Sequence, residues 1–120
     1  MIARNGSLQT ELRENMRGGK GAVALEHWFK PEAFGAKVRL CTRLTLAPGS
    51  SIGSHVHEGE DEIYLVLSGS GLIQEQGEWM PIRAGDAILT GKGGSHGVEN
   101  NGTEPLVIAA VIILYPPDTP

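Results

Sequence analysis

The sequence predicts an all-β protein: about eight or nine short antiparallel strands, closed on themselves or stacked as two sheets. Three observations carry this. Seventeen glycines and seven prolines in 120 residues imply many turns and little room for long helices. Apolar and polar residues alternate in short runs, the period of a strand with one buried face. Clusters of glycine, proline and asparagine separate the runs at regular intervals.

The length is that of one domain, residues 1–120, able to bury a core of its own. Acidic residues outnumber basic ones fourteen to ten, for a net charge of −4. The signs are interspersed, so no basic stripe points to nucleic acid. No apolar run approaches the ~20 residues of a membrane-spanning helix, and Met1-Ile-Ala-Arg-Asn-Gly lacks the apolar core of a secretory signal. The one cysteine, Cys41, has no partner for an internal disulfide, which fits a reducing compartment. A cytoplasmic location is expected, with neither nucleic acid nor membrane as partner.

Residues 1–21 read as an N-terminal arm. Leu8, Leu12 and Met16, four apart, suit one short amphipathic turn or helix; a loosely held arm suits them equally. Gly18-Gly19-Lys20-Gly21 punctuates, and Ala22 to Phe29 reads as a strand ended by Pro31. His27 on it is expected at the surface or an interface. Val38 to Leu46 is the next strand, with Val38, Leu40, Leu44 and Leu46 on one face and Arg39, Cys41, Arg43 and Thr45 on the other. That second face meets solvent or a pocket. If a pocket, Arg43 is the better placed of its arginines to meet an anionic ligand.

Beyond Gly49, the run Ile52-Gly-Ser-His55-Val-His57 precedes the polar turn Glu58-Gly-Glu60-Asp61, whose acids read as solvated, with a proton donor among them as the alternative. Glu62 to Leu67 is a strand on which Glu62, Tyr64 and Val66 share a face. Leu72 to Glu75 and Trp79 to Ile82 form a hairpin about Gln76-Gly77-Glu78. Ala87 to Thr90, then His96 to Val98, follow at further turns, and Asn100-Asn101-Gly102 carries a tight-hairpin signature. The last strand, Leu106 to Leu114, is apolar on both faces. Something must cover its outer side, either the N-terminal strands or a second subunit; a homodimer is expected. The tail, 115–120, is expected to be disordered after Pro116 and Pro117.

The chemistry concentrates in residues 49–100. His55 and His57 are two apart, so on a strand both imidazoles leave the same face. Glu62 follows one turn later, and His96 follows the glycine-rich Gly91-Lys-Gly-Gly-Ser95. Neutral imidazoles with one carboxylate suit a divalent transition metal such as manganese, iron, cobalt, nickel or zinc. Four ligands in an octahedral shell leave two positions for water or substrate. If Glu62 binds metal, Tyr64 faces the same cavity and offers a hydroxyl; otherwise it is a core tyrosine satisfied locally.

The spacing resembles the cupin family. Gly49, His55, His57, Glu62 and Gly69 fill every fixed position of its first motif. Gly85, Gly93, His96 and Asn100 match the second, with Gly91 where proline usually stands. That change touches a turn rather than a ligand and implies a freer loop before His96. The resemblance implies a jelly-roll barrel with the metal inside, held by His55, His57, Glu62 and His96. It leaves the chemistry open among sugar isomerases, dioxygenases, oxalate-related enzymes and proteins without known activity. Oxalate-acting members hold the acid with Arg or Asn at the position matched here by Ile52. Ile52 can hold it neither by charge nor by hydrogen bond, so acid binding is expected to be weak and oxalate turnover slow or absent, and replacing Ile52 with Arg is expected to tighten binding.

Two function classes follow. One is a metal-dependent enzyme acting on a small bidentate oxygen ligand: a dicarboxylate, a 2-oxo acid, or an enediol or sugar. The other is a non-catalytic, metal-dependent module that binds or senses such a ligand. A proton-transfer residue inside the barrel favours the first; a pocket of metal, Tyr64 and aliphatic walls favours the second.

Overall fold

The computed structural model describes residues 1–117. Among them are ten strands: β1 (Gln9–Glu14), β2 (Ala22–His27), β3 (Val38–Leu46), β4 (Ser51–Val56), β5 (Glu60–Ser68), β6 (Ser70–Glu75), β7 (Glu78–Arg83), β8 (Ala87–Thr90), β9 (Ser95–Glu99) and β10 (Leu106–Leu114). They form two antiparallel sheets, β1-β2-β3-β10-β5-β8 and β4-β9-β6-β7. The helical content is three short 3-10 turns, at Asn5–Ser7, Met16–Gly18 and Pro31–Ala33. This is the jelly-roll architecture, and no helix of the described residues is long and apolar enough to cross a membrane.

Alternation sets which side chains enter the space between the sheets. On β10, Leu106, Ile108, Ala110 and Ile112 are buried. They pair in register with inward residues of β3 and β5, Ile108 lying opposite both Leu44 and Val66. The β6–β7 hairpin turns through Gln76 and Gly77, both at positive φ (51° and 86°), the two-residue geometry whose twist suits antiparallel strands. The Thr42 hydroxyl is shut off from solvent without a hydrogen-bond partner among the described residues.

Three expectations change. The tenth strand is β1, where the leucine spacing suits a helix. Its register with β2, from Gln9↔His27 to Glu14↔Ala22, extends the six-stranded sheet at its edge, and Leu12 points outward at 66% exposure. Asn100 and Gly102 do not close a tight hairpin, because β9 and β10 belong to different sheets. The buried Asn100 side chain instead ties the crossover, its Nδ2 donating to the Leu46 and Glu104 carbonyls at 2.8 Å each. Finally, the N-terminal strands widen the β10 sheet rather than cover it. Among the described residues nothing covers the outward face around Val107, Ala109 and Val111, beside Leu65 and Leu89 at 45% and 65% exposure. Residues 118–120 of the expected tail lie outside the described residues.

Candidate metal centre and its cavity

The two sheets bring the four expected ligands together from opposite sides. On the four-stranded sheet, His55 of β4 lies opposite His96 of β9. His57, one residue past β4, is held by exchange with the glycine loop: its N–H donates to the Gly94 carbonyl (2.9 Å), and Gly93 donates to its carbonyl (3.1 Å). On the six-stranded sheet, Glu62 of β5 stands opposite Thr90 of β8. One ligand atom from each of His55, His57, Glu62 and His96 falls within 4.8 Å of all the others. His57, Glu62 and His96 are buried, and His55 is partly so.

Each imidazole is pinned through Nδ1 to an acceptor. His55 Nδ1 donates to the Gly53 carbonyl at 2.7 Å. His57 Nδ1 donates to Glu60 Oε1 at 2.8 Å, and Arg39 grips the same carboxylate with two hydrogen bonds of 2.9 Å. His96 Nδ1 donates to the Thr90 hydroxyl at 2.9 Å, which itself donates to Glu75 Oε1 at 2.8 Å. These partners fix the tautomers: every Nε2 turns a lone pair to the centre. His57 and His96 Nε2 lie 3.0 Å apart, with Glu62 Oε1 at 2.9 and 3.0 Å from them. Lone pairs so close repel unless a cation or proton lies among them. Three nitrogens and a carboxylate with outer partners in place fit a divalent transition metal.

The ionisable groups respond to one another. Hydrogen bonding to Glu62 raises the His57 pKa against the effect of burial, and Glu60 adds to it. Burial pushes Glu62 up, yet the pairing that its ionised form makes with His57 and His96 when they are protonated prevails and holds it below the usual carboxylate range. Arg39, more than any other group, lowers Glu60. His55, with no carboxylate partner, is lowered by burial.

Above the centre opens a cavity of about 390 Å³. Tyr64 stands in its wall, stacked on His96 at 4.8 Å and 20° between ring planes. Among the described residues its hydroxyl has no hydrogen-bond partner, and burial, with the Glu62 charge, pushes its pKa well up. Leu25, Leu40, Leu44 and Ile112 supply apolar wall. His27, half-buried at the mouth, pairs with Glu11 at 2.8 Å.

Arg43 is not brought to this cavity. It lies on the outward face of β3, paired with Glu26 at 3.0 Å and set over the Trp28 ring. Ile52 is also elsewhere: at 1% exposure it belongs to the apolar core, opposite Val98. Arginine there would enter that core unpaired instead of gripping an acid, so the expected gain in affinity is withdrawn. Nor is the loop at Gly91 free. A Cβ there would collide with the Asp61 carboxylate, which accepts from the Tyr115 hydroxyl; that hydroxyl in turn accepts from the Lys92 N–H at 2.8 Å. Glu60 is no solvated turn acid but a buried partner of His57. Its position two before Glu62 on one strand, hence on the same face, was the available signal.

A cupin-domain family model matches residues 42–113. An oxalate-binding protein of Thermotoga maritima is 47% identical over 114 residues, 95% of this chain and 94% of its own. A Thermotoga maritima crystal structure described as a predicted oxalate decarboxylase superposes with a TM-score of 0.92 at 47% identity, covering 95% of this chain and 99% of that one. KdgF from Halomonas superposes at 0.70 over 94% of each chain but at 18% identity, a likeness of fold alone. The stretch the family model matches runs from within β3 through nearly all of β10 and contains all four converging side chains; the chain belongs to the cupin family.

Proposed function

We propose that this protein is a metal-dependent receptor for a small bidentate acid, oxalate or a close dicarboxylate or 2-oxo acid. A single divalent ion of manganese, iron, cobalt, nickel or zinc would be held by His55, His57, Glu62 and His96. The carrying observation is the convergence of three Nδ1-pinned imidazoles and one carboxylate on the floor of a cavity. When bound, such an ion supplies a Lewis-acid centre for two ligand oxygens. The chain's part is to orient the ligand: Tyr64, kept protonated by burial, offers a hydrogen bond, and the leucine wall limits size. The name of the Thermotoga relative supports oxalate as the acid.

Binding is favoured over turnover because, among the described residues, the group beside the four ligands is a phenol that burial keeps protonated, while the cavity's other carboxylate and imidazole, Glu11 and His27, are paired with each other at the mouth. The enzyme reading draws on the Thermotoga structure described as a predicted decarboxylase. Calorimetry of metal-loaded and metal-free protein with oxalate, pyruvate and a neutral sugar, with carbon dioxide release followed in parallel, separates the readings. Acid binding that needs metal and occurs without turnover is expected. Acid binding that survives metal removal, or binding of the sugar alone, overturns the proposal, and carbon dioxide release transfers it to the enzyme class.

We further propose that a second copy of the chain covers the outward apolar face of the six-stranded sheet. Leu65, Leu67 and Leu89, at 45%, 49% and 65% exposure, adjoin Ala109 and Val111 there. Such a patch marks an interface. Light scattering at micromolar concentration should give twice the chain mass, and Leu65→Glu should halve it. A wild-type monomer refutes the pairing.

A further inference from the structure

We propose that Arg17, delivered to the cavity by the N-terminal segment, grips the outer oxygens of the bound acid, the ones turned away from the metal. The assignment rests on the acid-receptor reading and adds the residue that makes the site select for negative charge. A bidentate acid offers the ion two oxygens and leaves one or two pointing outward. Ile52, buried in the core, cannot reach them.

The backbone at Arg17 is held in an uncommon state. Asn15 (φ 51°, ψ 43°) and Arg17 (φ 54°, ψ 32°) are both left-handed, a conformation costing a non-glycine residue on the order of 1 kcal/mol and kept only where the surroundings impose it. Here they do. Asn15 N–H donates to the Gly21 carbonyl at 2.9 Å and Asn15 Nδ2 to the Gly19 carbonyl at 3.1 Å. Gly18 and Gly19 N–H close back on the Asn15 and Met16 carbonyls at 3.0 and 2.9 Å. Met16 packs on the core beneath.

The turn is seated directly on β4. A Cβ at Gly53 would collide with the Arg17 carbonyl, and one at Gly19 with the Ser51 carbonyl. Gly53 thus serves two groups: its carbonyl fixes His55 Nδ1, and its bare Cα admits the backbone of Arg17.

Charge gives the third argument. Arg17 lines the same cavity as His55, His57, Glu62 and Tyr64. Of the cavity's other arginines, Arg13 is paired with Glu11 and Arg39 with Glu60. Among the described residues Arg17 makes no ion pair. The lining carries four Lys or Arg side chains against two carboxylates, in a chain of net charge −4, so the mouth draws anions. Arg17 also lies outside residues 42–113, the stretch the family model matches, so this is a feature of the chain's own N-terminal segment.

Metal-loaded wild type, Arg17→Gln, Arg17→Lys, Arg17→Gly and Arg13→Gln should be titrated with oxalate by calorimetry, with metal content and melting temperature measured on each. Arg17→Gln should weaken oxalate roughly 10- to 100-fold, the range of one charge-assisted hydrogen-bonding group. Metal content should be unchanged, and Lys should retain part of the affinity. Arg17→Gly, relieved of the left-handed strain, should melt higher while losing the acid. Arg13→Gln should change affinity less than about threefold, since an already paired surface charge contributes little. Equal affinity for wild type and Arg17→Gln overturns the assignment and leaves the receptor reading standing. An Arg13→Gln loss as large as that of Arg17→Gln also overturns it, in favour of a diffuse field. A metal-loaded wild type that ignores every acid overturns both.

Discussion

Along the space between the sheets, one end is built from Val23, Leu46, Val98, Leu106 and Ile108, all at 0% exposure, and the other from His57, Glu62, His96 and Thr90, between 1 and 4%. The same strands build both ends: β5 gives Val66 to one and Glu62 to the other, and β9 gives Val98 and His96. Burial alone therefore does not distinguish core from site. What differs is how burial is compensated. Apolar area removed from water is stabilising wherever it is well packed. A buried imidazole or carboxylate is tolerable only when each polar atom has a partner. The polar end meets this condition outward, through Gly53, Glu60–Arg39 and Thr90–Glu75, and leaves it unmet inward, where the donor set fits a cation.

The first way to break the comparison is to damage the apolar end alone. Ile108→Ala should destabilise by about 2–5 kcal/mol, the usual result of a fully buried large-to-small change, with metal stoichiometry per folded chain unchanged. Denaturant titration and metal analysis of the same sample check both halves. Loss of metal at full folding would show that the two ends are one cooperative unit.

The polar end was the more legible of the two in the sequence. A two-residue spacing fixes His55 and His57 to one face whatever the rest of the chain does, and the glycines bounding the turns locate Glu62 and His96. Strand β10 was legible to its end residues because Pro105 and the Tyr115-Pro-Pro run bracket nine apolar positions. Strand β1 was hidden: Gln-Thr-Glu-Leu-Arg-Glu is an edge strand with charge on both faces, which has no period to read, so a chance four-residue leucine spacing stood out instead. Arg43 was misplaced because alternation says which residues share a face but not which face is inside. Thr90, Glu75 and Arg17 reach the site by tertiary approach, and no local pattern marks that.

A second experiment removes the cation from the polar end. Metal present at about a hundredfold its dissociation constant stabilises the fold by roughly 2.7 kcal/mol, about ten degrees of melting temperature for a domain of this length. Removing it should lower the melt by that amount, and His57→Ala should abolish the difference. An unchanged melt after verified removal would mean that the hydrogen bonds through the three Nδ1 atoms suffice by themselves, and the contrast between the ends would dissolve.

The smallest effect, and the sharpest test of the lone-pair argument, is how that gap depends on pH. In the metal-free protein the histidine shifts oppose each other. His57 is raised above its ordinary 6.5, so its contribution is complete below that pH and lost as pH rises through its folded value. His55 is lowered by burial, so its contribution is present above 6.5 and lost as pH falls through its folded value. The two windows meet at 6.5, so on these groups the metal-free protein should be most stable near that pH and lose stability on either side. Glu60 and Glu62, held below 4.5, stabilise above that value and withdraw only in stronger acid. Metal binding instead requires all three Nε2 lone pairs at once, while the unfolded chain takes up a proton at each of these histidines as pH drops below 6.5; each proton of difference is worth about 1.4 kcal/mol per pH unit. The gap between metal-loaded and metal-free melting temperatures should therefore narrow steeply from pH 7.5 to 5.5, with most of the change on the metal-loaded side. His55→Gln should remove the loss below 6.5 and leave the one above it, so that the metal-free variant melts higher at pH 6 than at pH 8. A gap of constant size across that range would show that protons and the ion do not compete for the same three nitrogens.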